Sequence, residues 1–91
     1  MINVTGLLPG DYVLLLVDVL DGKRESYHRK GYYEKIQSIT SDGEGVIFAS
    51  SGIDTHHTNV RRIDVFDELN YLKYMNKRFS DIIHVQHKTI I

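Results

Sequence analysis

Five histidines, two adjacent serines and a run of cations interleaved with tyrosines are the residues here whose types suit chemistry. His56 and His57 are adjacent, so an extended backbone points them to opposite faces and makes them a poor chelating pair. His84 and His87 stand three apart, but the extended composition of Ile82 to Ile91 predicts a strand that separates them. A metal reading draws on both segments, with Asp54 or Asp81 as the oxygen ligand. No spaced ligand motif supports it, so no metal and no cofactor is expected. Ser50 and Ser51 share a loop with Asp54, His56 and His57. A nucleophile, base and acid are recognised by geometry, and closeness in sequence supplies none. Neither a strand–nucleophile–helix elbow nor a phosphate-cradling glycine loop is present. A small metal-dependent or hydrolytic enzyme using the 50–57 loop therefore stands as the second alternative function.

The segment from Lys23 to Lys35 is the leading candidate surface. It carries five cations against Glu25 and Glu34, a local charge of +3 in a chain of net −1. Tyr27, His28, Tyr32 and Tyr33 lie among those cations. Protein interfaces favour this mixture, because Tyr and Arg combine large contact area with directional hydrogen bonds. Single-stranded nucleic-acid sites use it too, with cations along phosphates and rings under bases. The basic run is short and the chain as a whole is not basic, so a protein partner is expected first and nucleic acid is the alternative. Arg24, Tyr27, Arg29 and Tyr32 are the expected binding residues. The arginines pair with acidic groups and the tyrosines anchor apolar contacts. The expected function is thus a non-catalytic interaction module working through a hairpin at 23–33.

The elements that position this hairpin read as mainly β. Pro9-Gly10 is a type II turn signal feeding the strand Tyr12 to Leu20, which is apolar on both faces as far as Val17. A strand with one wet face alternates apolar and polar residues, so something must cover the second face here. Ile2 to Thr5 reads as a short edge strand, Asp21-Gly22 as a turn, and Tyr32 to Ile39 as an aromatic and β-branched strand. Ser41 to Gly45 is a turn, Val46 to Ala49 a buried strand, Ser50 to Asn59 a loop, and Val60 to Phe66 a further strand. Asp67 is an N-cap for a helix over 67–76, with Leu69, Leu72 and Met75 as its stripe and Lys73, Lys77 and Arg78 toward its end. That helix is the natural cover for the central strand. The tail from Ile82 to Ile91 reads as a closing strand.

Gly10-Asp11-Tyr12-Val13, Gly31 to Ile36, Ser41 to Phe48 and Val60 to Ile63 occur in the order found in small SH3-like barrels. Over residues 10–63 the chain resembles the Tudor kind. The resemblance implies a binding module without catalytic activity. Glu34 stands where such barrels usually place a small buried residue.

Ninety-one residues make one domain, 1–91, with an ordinary apolar fraction of 42%. The expected class is α+β, mainly β: a small bent antiparallel sheet or SH3-like half-barrel with one C-terminal helix. No cysteine is present, which favours a reducing compartment. With no basic-then-apolar leader and no long apolar run, a cytoplasmic domain without membrane association is expected. Surplus apolar surface on the two-faced strand, on the Tyr71/Tyr74 side of the helix and at Thr89 to Ile91 suits a homodimer.

Overall fold

A computed structural model describes residues 2–21 and 26–90, with side chains described at 2–20 and 28–80. The class expected from sequence is observed. Five antiparallel strands form one open sheet, two more form a separate hairpin, and a single helix ends the chain. The strands are β1 (Tyr12–Leu15), β2 (Val19–Asp21), β3 (Ser26–His28), β4 (Tyr33–Ile39), β5 (Gly45–Phe48), β6 (Asp54–His56) and β7 (Val60–Arg62), followed by α1 (Glu68–Ile90). The sheet order is β6-β5-β4-β1-β7, and β2 pairs with β3 apart from it.

The Pro9-Gly10 turn forms as its residues dictate. Asp11 N donates to Leu8 O at 3.1 Å, and Gly10 takes φ 93°, which a side chain would oppose. Register then sorts the two faces. Val13 lies opposite Glu34 and Arg62, while Leu14 lies opposite Tyr33 and Arg61. Val13 and Leu15 join Ile36, Val46, Phe48, Val60 and Leu7 in the core. Across β4 and β5 the register shifts between Ile36 and Ser38, so Gln37 is an extra residue that bends the strand. Ile36 and Ile39, an odd number apart, can therefore both serve the same core.

On the opposite face Tyr12 and Tyr33 meet the helix. Tyr12 packs on Tyr71 with centroids 5.4 Å apart, Tyr33 on Tyr74 at 5.3 Å, and Phe66 wedges against both strand tyrosines. Each such pair adds about 0.5–1.5 kcal/mol beyond its burial. The helix thus covers the second face of the sheet at Tyr12 of β1 and Tyr33 of β4. Asp67 caps it, accepting from Asn70 N at 2.8 Å.

Several expectations are corrected. Ile2 to Thr5 is not a strand, although Val4 N bonds to Gly43 O. The central strand stops at Leu15. Leu16 N still bonds to Asn59 O in the β1–β7 register, the chain then leaves the sheet, and Val19 onward belongs to the hairpin. The strand starting at Val60 ends at Arg62 rather than Phe66, because Phe66 is drawn over to the helix side. The 50–59 loop contains β6 and a 3-10 turn at His57–Asn59. The helix does not end at residue 76, and the tail to residue 90 is helical instead of a strand. No Gly or Pro interrupts 68–90, and extending an existing helix costs far less than starting one.

Candidate functional site

The hairpin β2–β3 and the turn after β5 meet over one buried carboxylate. Glu34 follows Tyr33 on β4, on the core face, and is fully buried. Its Oε1 accepts from Arg78 Nη1 at 2.6 Å, and its Oε2 accepts from Ser50 Oγ at 3.1 Å. His28, the last residue of β3, packs its ring against Phe48 at 4.9 Å. Its Nδ1 lies 3.2 Å from Glu34 Oε1, near enough for electrostatic attraction but out of line for a good hydrogen bond. Its Nε2 lies 2.7 Å from Ser51 Oγ. Ser51 Oγ also accepts from Ile53 N at 3.1 Å.

Burial pushes the Glu34 carboxyl up, and the contacts with His28 and Arg78 more than reverse this, leaving it below its ordinary value. Arg78 reaches the carboxylate from the helix, with its guanidinium 4.5 Å from the centre of the Tyr32 ring and 5.8 Å from that of Tyr74. One buried charge cluster thus ties together sheet, hairpin, β5–β6 turn and helix.

Ser51, His28 and Glu34 stand in the order of a nucleophile, base and acid. The backbone donors beside the serine are already engaged. Gly52 N bonds to Phe48 O at 2.8 Å, and Ile53 N bonds to Ser51 Oγ itself. An acyl-transfer site needs such donors aimed at the developing oxyanion. The enzyme alternative for the 50–57 loop rests on Asp54, His56 and His57, none of which joins this row. His56 and His57 do not point apart as an extended backbone would place them. The 3-10 turn brings their rings to 4.4 Å, with His57 Nδ1 on Glu44 O and His56 Nδ1 on Thr58 Oγ1. Among the described residues no group of three or more His, Cys, Asp or Glu is placed to hold a metal ion. Among them, too, no helix is long and apolar enough to cross a membrane.

The four expected binding residues fare differently. Arg24 lies outside the described residues, and for Tyr27 only the backbone, paired with Leu20 in the hairpin, is described. Arg29 is exposed just past β3. Tyr32 is half-buried beneath Arg78, so its ring serves the molecule's own cluster rather than an open surface.

Sequence reasoning missed the exposed apolar shoulder of the hairpin. The apolar pattern assigns Leu16, Val17 and Leu20 to the central strand, yet they are 37%, 38% and 64% exposed. The base of the hairpin is fixed by His28, by Gly31 N on Leu15 O, and by Lys30 N on Asp18 Oδ1 at 2.8 Å. Asp18, the one acidic residue interrupting the apolar run from Val13 to Leu20, was the available signal for the break. No family model, no curated protein and no solved structure matches the chain.

Proposed function

We propose that this chain is a non-catalytic interaction module that holds a protein partner through the β2–β3 hairpin and its flanks. The carrying observation is that Leu20 stands exposed on a hairpin whose base is anchored by buried His28, with Leu16 and Val17 exposed in the segment that leads into it. An anchored hairpin loses little conformational freedom on binding, which favours affinity. Exposed Arg29 and Lys30 flank the apolar residues and suit acidic groups on the partner. Arg24 and Tyr27 belong to the same proposed surface by sequence, whereas Tyr32 supports it from beneath. The absence of cysteine favours the cytoplasm as its compartment.

The test is crosslinking capture from host lysate, with and without nuclease. It compares the native chain with Leu20→Glu and with the double variant Arg24→Ala, Arg29→Ala. A specific protein that survives nuclease and is lost from both variants supports the proposal. Equal capture by native and variant chains refutes it. A signal abolished by nuclease transfers the surface to single-stranded nucleic acid.

A further inference from the structure

Among the described residues the helix has two distinct faces, one packed on the sheet and one open to solvent. Tyr71, Tyr74 and Arg78 face the sheet and the Glu34 cluster. At ~100° per residue, Leu69, Leu72, Asn76 and Phe79 lie on a second stripe roughly 140° around the axis. That stripe is open: Leu69 is 60% exposed, Leu72 50% and Phe79 64%, and Asn76 is exposed beside them. The Tyr71/Tyr74 side, which the sequence suggested for self-association, is instead taken up by the sheet.

Leu69, Leu72, Asn76 and Phe79 follow the 3-4-3 spacing of a heptad seam, and the frame continues in sequence through Ile83, Gln86 and Ile90. In that frame Leu69, Asn76, Ile83 and Ile90 are a positions, and Leu72, Phe79 and Gln86 are d positions. The helix runs unbroken through all of them. Tyr71, Tyr74 and Arg78 fall at c and f, away from such a seam, so docking on the sheet and pairing through the stripe are compatible.

We infer that the Leu69–Leu72–Asn76–Phe79 stripe is the seam of a parallel, in-register homodimer of this chain. Asn76 selects the occupant. An apolar partner would bury its amide without a hydrogen bond, whereas a second copy in parallel register sets Asn76 against Asn76. The two sheets, on the far sides of their helices, are then kept apart.

The test is sedimentation equilibrium of the full chain from about 1 to 500 μM, where mass action exposes a weak dimer. The apparent mass should rise from that of one 10.5 kDa chain toward two. Leu72→Glu and Phe79→Glu should each raise the dissociation constant about tenfold or more, equivalent to about 1.4 kcal/mol. Both positions are exposed, so the melting curve of the dilute variants should stay native, and using two variants covers a folding failure in one. Asn76→Cys, the sole thiol in an otherwise cysteine-free chain, should form an interchain disulfide on mild oxidation. A single-chain mass at the highest concentration, or a dimer indifferent to both glutamates, overturns the inference. A dimer that forms no disulfide through Asn76→Cys overturns the parallel register.

Discussion

Replacing Arg78 by Ala should destabilise the domain by about 3–5 kcal/mol, the usual consequence of stripping one partner from a buried ion pair. The geometry supports the upper part of that range. Glu34 is fully buried and the Arg78 side chain is only 14% exposed, so water cannot easily replace the guanidinium. The contact is short, at 2.6 Å, and loss of the stacking over Tyr32 adds about 0.5–1 kcal/mol. His28 Nδ1, 3.2 Å away and poorly aligned, offsets part of the loss. A domain of this size shifts its Tm by about 4–8 °C per kcal/mol, so the fall should be of order 20 °C. Urea unfolding at pH 7, followed by circular dichroism, measures it directly. Arg78→Lys, which keeps the charge but not the planar fork, should fall between native and Ala. The pH dependence supplies a second readout. The carboxyl of Glu34 is depressed in the folded state, so its contribution is present above its ordinary value of 4.5. It is lost as pH falls through the lower folded value, and Arg78→Ala should show a weaker acid loss than the native chain. A cost below about 1 kcal/mol with an unchanged acid profile would refute the argument, because an exposed pair behaves that way.

Two further outcomes are expected. The Tyr12 hydroxyl, half-buried and donating to Glu68, is pushed up to about 12, first by desolvation and then by that hydrogen bond. The folded state therefore holds this proton more tightly, and stability should decline between about pH 10 and 12 as the unfolded tyrosine ionises. Melts of Tyr12→Phe should lack that component; an identical alkaline decline in both chains would count against it. At Gly43, with φ 78°, an added Cβ would lie 2.1 Å from Ile2 O. Gly43→Ala should cost about 1–3 kcal/mol from the backbone conformation alone and displace the N-terminal segment. Loss of hydrogen-exchange protection at Val4 N, now bonded to Gly43 O, is the readout, and unchanged exchange and Tm would contradict it.

The sequence by itself determined the features that rest on neighbours in the chain. The Pro9-Gly10 turn, the strands near 33–39 and 45–48, and the capped helix start at Asp67 all follow from local φ/ψ preferences and short-period patterning. The need to cover the second face of β1 was equally legible, because an unalternating apolar strand requires it. Tertiary structure decided what depends on distant groups. Glu34 reads locally as one more charge in a basic hairpin, and only the arrival of Arg78, 44 residues later, makes its burial tolerable. Tyr32 changes from a surface anchor to a support for the same reason. Leu16 to Leu20 are apolar except for Asp18, and the segment leaves the sheet where Asp18 accepts from Lys30 N and His28 docks on Phe48. The tail has β-branched residues that favour a strand, yet a helix already begun at Glu68 propagates through them at little cost. Local chemistry sets what each segment prefers; which preference survives is fixed when charges and apolar faces from distant segments must be satisfied together.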